Sequence, residues 1–146
     1  MAFLSEQRAM HLSTTGSEGP HAAPLFYAFD PDALRLIFLS ARQTRHIHEI
    51  LRDSRAAASV AQPGPEVDEI RGAQLWGKVR ASVDPAAALL LYLGRFAEAG
   101  NYLPRDVLSQ IWEFQVERAR WIDNRRGFGH RIEWDFLQNG GRDART

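Results

Sequence analysis

The stretch Leu34-Arg35-Leu36-Ile37-Phe38-Leu39-Ser40, continued by Ala41-Arg42-Gln43-Thr44-Arg45-His46-Ile47-His48-Glu49-Ile50-Leu51, changes its period once, and that change decides how the chain is read. From Leu34 to Ser40 it alternates and then runs apolar, as a half-buried or fully buried strand does. Beyond Ser40, the residues Ile47, Ile50 and Leu51 recur at helical spacing until Asp53-Ser54 breaks the segment, which predicts a short helix. A strand that feeds a helix N-terminus is a natural anion site, because the free backbone N–H groups and the helix dipole favour negative charge. The arginines beside it add bidentate capture of phosphate. From these residues alone the segment is either such a site or a surface helix carrying solvated charges.

Upstream, Thr15-Gly16-Ser17-Glu18-Gly19-Pro20 is dense in turn formers and separates strand-length segments at Met10 to Thr14 and His21 to Phe29, a predicted hairpin. Asp30-Pro31-Asp32 marks the next turn. Downstream, Ala56 to Ala61 reads as a strand stopped by Gln62-Pro63-Gly64-Pro65, since proline donates no ladder hydrogen bond. Val67 to Val83 reads as one long bent strand, with Gly72 and Gly77 where a bulge suits barrel closure. Asp84 is an N-cap with Pro85 at the first helical position, and Ala86 to Ala99 predicts a helix ending at Gly100-Asn101. Ile111 to Trp121 and Arg131 to Phe136 alternate as strands with one wet face, around the loop Asp123 to Gly129. The residues 139–146 are polar and expected as a tail after a single domain over 1–138. Six or seven clustered strands with two to three helices predict an α+β or mainly β barrel rather than a doubly wound sheet.

Composition removes several functions. The 146 residues balance 18 basic against 18 acidic side chains, so no global field recruits nucleic acid or an anionic membrane, and neither is expected as a partner. The absence of cysteine excludes disulfides, thiolate metal sites and a cysteine nucleophile. The longest apolar run, Pro85 to Leu93, falls well short of the ~20 residues that cross a bilayer. Glu6, Gln7 and Arg8 interrupt the first ten residues, unlike a signal peptide, and a cytoplasmic protein is expected. His46 and His48 lie two apart on the predicted helix and diverge, while His21 and His130 complete no ligand spacing, so no metal site is predicted. No Gly-x-Ser-x-Gly elbow supports a hydrolase. Trp76, Trp112, Trp121 and Trp134 fall mostly at strand positions and are assigned to core or dimer packing.

The order of a Gly-Pro-His strand from Gly19 to Tyr27, the acidic turn, the strand ending at Ser40 and then Thr44-Arg45-His46 resembles the first half of pyridoxamine 5′-phosphate oxidase-like flavoproteins. Arg71-Gly72-Ala73-Gln74-Leu75-Trp76-Gly77-Lys78-Val79 is similar to their later barrel strand, and Asp123-Asn124 followed by Gly127-Phe128-Gly129 to the YhbP-like branch. The resemblance spans about Met10 to Trp134 and implies an FMN-binding split β-barrel that works as a homodimer, with its flavin site between two copies. The family's phosphate-holding Ser/Thr-Arg-Lys transfers to Thr44, Arg45 and His46, histidine standing where lysine is usual. The strand along the flavin ring transfers to Pro24, Leu25, Phe26 and Tyr27, and the ribityl and phosphate contacts to Ser40 and Gln74. The implied activity is a flavin-dependent oxidoreductase acting on a small-molecule substrate. A C-terminal Arg-x-His motif is missing after Trp134, which argues against pyridoxine biosynthesis. The loop containing Arg126, Phe128 and His130 is either a plain hairpin turn or the mouth of a ligand site. A related heme-degrading branch uses a late glycine-rich loop near its ligand, so heme or a deazaflavin is the alternative cofactor. A cofactor-free dimeric interaction module is the other alternative.

Overall fold

In the computed structural model, which describes residues 2–62, 64 and 66–138, three helices and eight strands alternate with short 3-10 turns. The order is α1 (Ala2–Glu6), β1 (Ala9–Gly16), β2 (Gly19–Phe26), β3 (Ala28–Asp30), β4 (Arg35–Leu39), α2 (Arg45–Arg52), β5 (Arg55–Gln62), β6 (Arg71–Ala81), α3 (Pro85–Arg95), β7 (Ile111–Asp123) and β8 (Arg131–Asp135). The tail expected at 139–146 lies outside the described residues, as do Pro63 and Pro65 of the predicted strand stop. All strands join one antiparallel sheet in the order β2-β1-β5-β6-β7-β4-β3, with β8 on β7, and the sheet curls into a half-barrel.

Strand β4 explains the curl. Leu36, Ile37 and Phe38 are all fully buried, yet consecutive side chains of a strand point to opposite faces. Leu36 and Phe38 enter the barrel with Met10, Leu12, Leu75 and Phe114, while Ile37 packs outward against Ala88, Tyr92 and Phe96 of the α3 region. Burial on both faces is why this strand reads as an unbroken apolar run. Helix α3 is held in place for that task by its cap, Asp84 accepting from the Ala87 N–H at 3.1 Å. On β7 the Glu113 carboxylate is buried and accepts from Arg35 Nη1 at 2.7 Å, Ser82 Oγ at 2.7 Å and Arg80 Nη2 at 3.3 Å. This is the full complement of partners that a buried charge requires, and it ties β4, β7 and the end of β6 together.

Three local expectations are corrected. The single strand expected over His21 to Phe29 divides at Tyr27, which raises the count from six or seven strands to eight. Tyr27 buries its ring and donates its hydroxyl to Leu4 O at 2.7 Å; its N–H, donated to Arg8 O at 3.0 Å, is the last bond in the β1–β2 register, and the next residue, Ala28, pairs with Ile37 of β4 instead. The strand expected from Val67 begins at Arg71, because Val67–Glu69 form a 3-10 turn whose Val67 carbonyl accepts from Asn124 Nδ2 at 2.8 Å. The long helix expected to Ala99 stops at Arg95, where the chain turns to bury Phe96 and continues as a 3-10 segment over Ala97–Tyr102. Helix α1 carries no strong pattern of its own and is stabilised by tertiary packing, with Phe3 edge-on to Trp121 at 4.5 Å between ring centroids.

Of the two glycines expected at bends, Gly72 stays in register opposite Ile122, and the bulge falls at Gly77. Trp76 pairs with Arg118 and Gly77 with Val116, so Glu117 is the extra residue. A side chain at position 77 would collide with the backbone carbonyl of Gln115, whereas one at Gly94, inside α3, meets nothing within 4 Å. Gly77→Ala is therefore expected to destabilise the fold by about 3 kcal/mol or more, and Gly94→Ala to stabilise it by roughly 0.5–1 kcal/mol. Urea unfolding of the two variants beside the parent checks both signs; equal midpoints would mean that the bulge does not need its glycine.

Candidate functional site

The chain leaves the buried end of β4 at Ser40, whose N–H donates to Gln110 O at 3.0 Å and whose carbonyl accepts from Trp112 Nε1 at 3.0 Å. Both partners belong to the start of β7 or the turn before it, so the strand pair fixes the point from which α2 departs. Thr44 takes the N-cap position of α2 with extended backbone, but its side chain does not cap the helix. Its hydroxyl donates instead to Ala41 O at 2.9 Å, which leaves its lone pairs facing Ser40 and His46. Ser40 Oγ and His46 Nε2 share a hydrogen bond of 2.7 Å, and each lies 3.2 Å from Thr44 Oγ1. Two hydroxyls and an imidazole thus converge beside a helix N-terminus that no side chain caps.

His46 is buried, and His21 of β2 stacks on it with ring planes 12° apart and centroids 6.3 Å apart. Burial, reinforced by His21 and opposed by Glu49, lowers the His46 pKa below its ordinary value, so the imidazole stays neutral at pH 7. One turn along α2, the buried Glu49 accepts from Thr14 Oγ1 at 2.6 Å and from Arg45 Nε at 2.7 Å. The Thr14 bond first, and then Arg45, hold this carboxyl below its usual range. Arg45 also reaches Gly19 O at 3.4 Å and lies 3.9 Å from Glu18, both in the β1–β2 turn. Glu49 was not anticipated, although its i,i+4 spacing from Arg45 is a recognisable helix signal. Nor was the approach of His21, which follows from its register opposite Thr14. Arg42 turns away, donating to Ser109 O at 3.2 Å with its guanidinium over the Trp112 ring.

Ser40, Thr44 and His46 are therefore brought together, Arg45 stands beside them on α2 with its side chain turned to Glu49 and Gly19, and the remaining expected residues are distributed elsewhere. Leu25 is half-buried and Tyr27 buried, so their side chains face the interior, while Pro24 and Phe26 are exposed. Strand β2 ends the sheet, which leaves one edge of its backbone without a strand partner among the described residues. Pro24 belongs to a cross-strand row that runs through His11, Ser59, Gln74, Arg120 and Glu133 on the outer face. Gln74 thus shares a face with Pro24 but lies three strands away, roughly 14 Å at ordinary strand spacing. In the next row Trp76 is flanked by Arg118 and Arg120, their guanidinium carbons 5.1 and 5.6 Å from its ring centroid.

The loop between β7 and β8 lies at the opposite end of the barrel. Gly127 and Gly129 adopt φ of +124° and +75°, and Phe128 projects into solvent with 83% of its surface exposed. Asp123 anchors the loop by accepting from Arg125 Nε at 2.8 Å and Nη2 at 2.7 Å, which pushes its carboxyl down to about 2. His130 Nε2 is buried without a hydrogen-bond partner among the described residues. Beneath the loop, a cavity of about 500 Å³ opens between α1 and strands β6 to β8, and Arg126 lines it. Of the tryptophans, Trp112 is core, Trp121 and Trp134 line this cavity, and Trp76 lies on the outer face. No described helix is long and apolar enough to cross a membrane.

A family model described as pyridoxamine 5′-phosphate oxidase matches residues 1–123 of the chain. The UPF0306 protein of Pasteurella multocida is 30% identical over 134 residues, covering 90% of this chain and 87% of that protein. Among solved structures, a heme-binding protein from Mycobacterium smegmatis superposes with a TM-score of 0.75 at 21% identity, covering 90% of this chain but only 54% of the larger protein. A FAD-binding protein from Mesorhizobium loti superposes with a TM-score of 0.62 at 16% identity, covering 80% of this chain and 84% of that one. At such identities the two structures establish a shared fold. The chain belongs to the pyridoxamine 5′-phosphate oxidase family and, within it, to the UPF0306, YhbP-like proteins.

Proposed function

We propose that this chain is an FMN-binding protein that serves as a flavin-dependent oxidoreductase for a small molecule. The observation that carries the reading is the convergence of Ser40 Oγ, Thr44 Oγ1 and His46 Nε2 within 2.7–3.2 Å of one another beside an uncapped helix N-terminus. With the Ser40 and Thr44 hydroxyls turned from His46 and Ala41, this set would suit a phosphate monoester, which takes several hydrogen bonds and a helix dipole at once. Arg45 completes it. Its guanidinium has five N–H donors, of which Glu49 and Gly19 engage two, so the remainder are free to meet a phosphate while Glu49 fixes the side chain. The flavin ring would then lie along the free edge of β2, to which Pro24 and Phe26 turn, while Leu25 and Tyr27 turn their backbone groups toward β1, the Tyr27 N–H donating to Arg8 O. Gln74, across the sheet, enters such a site only from a second copy of the chain, which makes the functional unit a homodimer. A bound flavin supplies the hydride or electron transfer; the protein's part is to bind it, orient it and keep water from its reacting face.

A heme reading has one specific support, the likeness to the heme-binding protein from Mycobacterium smegmatis. The visible spectrum of the freshly purified protein separates the two, flavin bands against a Soret band. With apoprotein, Arg45→Ala is expected to weaken FMN roughly ten- to hundredfold and riboflavin hardly at all. Equal FMN affinity of variant and parent would place the phosphate elsewhere. Sedimentation at low micromolar concentration is expected to give a dimer of the 16.5 kDa chain, and a monomer alone would remove the shared site.

His46 links both folding and binding to pH. Because its folded-state pKa is lowered from 6.5, the unfolded chain takes up the proton first. The contribution that neutral His46 makes to the stability of the apoprotein is therefore fully present above about pH 6.5 and lost as pH falls below it. Glu49, whose ordinary value is 4.5, adds its own loss only at lower pH. Urea unfolding at pH 7.5 and 5.5 should show a smaller decline for His46→Asn than for the parent. FMN binding has the opposite sign, since a phosphate dianion favours the imidazolium: affinity should fall as pH rises from 6 to 9 and stay flat in His46→Lys. Parallel FMN profiles would separate His46 from the phosphate.

A further inference from the structure

The cavity beneath the β7–β8 loop takes no part in the proposed flavin site. The cavity lining on β6 runs from Arg71, opposite Asp123, to Leu75, whereas Ala81 at the α2 end pairs with Trp112, so roughly 20 Å of strand separates the two. Its volume of about 500 Å³ is that of an ordinary small-molecule pocket. Its walls are apolar and aromatic: Phe3 and Leu4 from α1, Leu75 from β6, Trp121 from β7, and Ile132 and Trp134 from β8. Helix α1 is pinned over it by the Tyr27 hydroxyl on Leu4 O and by Arg95 on Glu6 O at 2.9 Å.

Arg71, Arg125 and Arg126 stand at the rim and Arg120 borders the cavity from the outer-face row, and their pairing differs. Arg125 is committed to Asp123 and Arg120 to Glu133, the latter at 2.6 Å. Arg71 lies over the Phe3 ring and donates to the neutral Gln62, and Arg126 makes no ion pair among the described residues. Arg71 faces Asp123, which Arg125 already pairs, and beyond that carboxylate the lining holds one more, Glu6, which makes no ion pair among the described residues. Apolar walls with surplus guanidinium groups at the mouth are the chemistry of an amphipathic acid.

We infer that this cavity binds a small carboxylate with an apolar body, its hydrocarbon or aromatic part among Phe3, Leu75, Trp121 and Trp134 and its carboxylate on Arg71 and Arg126. Two indoles in the wall make the tryptophan emission of the whole protein a direct reporter. The test titrates full-length protein with octanoate, octan-1-ol and octylamine, followed by fluorescence and calorimetry. Octanoate should bind saturably and about tenfold or more tighter than the alcohol, with the amine weakest. Arg126→Ala, at an exposed loop position, should weaken octanoate about tenfold and leave octanol unchanged. Ala119→Leu, which adds bulk to the wall, should weaken both probes, read against an unfolding curve that shows the variant folded. Octanoate affinity should persist in Arg45→Ala whether or not FMN binds at α2. Absence of saturable binding by the parent, equal affinity for acid and alcohol, or loss of octanoate binding in Arg45→Ala would each overturn the inference.

Discussion

Strand β4 has no wet face, and that constraint organises the molecule. Leu36 and Phe38 must be covered by the rest of the barrel, and Ile37 by α3, so the strand is fixed from both sides before any polar contact is considered. Burial of that kind is worth roughly 1.5–3 kcal/mol per large aliphatic or aromatic side chain. It leaves no room for the strand to slip, because a one-residue shift would exchange the two buried faces. The Glu113 network adds direction to what packing fixes in depth, since its carboxylate reaches β4 through Arg35 and β6 through Arg80. Ser40 therefore leaves the barrel at a defined place and angle, gripped on both sides of its peptide by the residues before and within β7.

What could be read from the sequence divides along the range of the forces involved. The apolar run of β4, the Asp84-Pro85 start of α3 and the bulge at Gly77 are written in adjacent residues, and local reading found all three. The division of β2 from β3 is not local. Nothing near Tyr27 announces a break; it falls where the chain changes its partner from β1 to β4, with the Tyr27 hydroxyl held by Leu4, twenty-three residues away. Helix α1 is a similar case, since five residues cannot sustain a helix without the partners that Phe3 and Leu4 find in the barrel. The 3-10 turn at Val67–Glu69 was legible in principle, because Asp68 and Glu69 are poor strand formers. At the site, Thr44, Arg45 and His46 were identified through family resemblance, whereas Glu49 could have been found by helix spacing. The cavity could not have been found at all, as its wall draws on both ends of the chain.

The curled sheet separates two kinds of environment. At the α2 end, small hydroxyls, an imidazole and an ion pair leave specific polar atoms beside a helix terminus. At the α1 end, two indoles, aliphatic side chains and uncommitted arginines leave volume. The same strand pair, β6 with β7, spans both, and it is the pair that carries the Gly77 bulge. A change of curvature there would alter both ends together, which is a reason for glycine at that point beyond the local clash with Gln115.

The α2 end also differs electrically from a site built on a permanent cation. Its one guanidinium, Arg45, is already paired with Glu49, and its histidine is kept neutral by burial. A lysine at position 46 would face a different problem. Its ammonium, buried among Ser40, Thr44 and His21, would have for an anion only Glu49, whose carboxylate is already engaged by Arg45 and Thr14, and desolvation would oppose its charge whenever no further anion was present. Histidine avoids that cost by discarding its proton. The fold can then bury the base of α2 tightly against β2 without an unpaired charge, while keeping an imidazole that becomes a cation when a dianion supplies the reason. Tight burial in the free protein and the proposed proton-linked response to a phosphate would both follow from a histidine at this position.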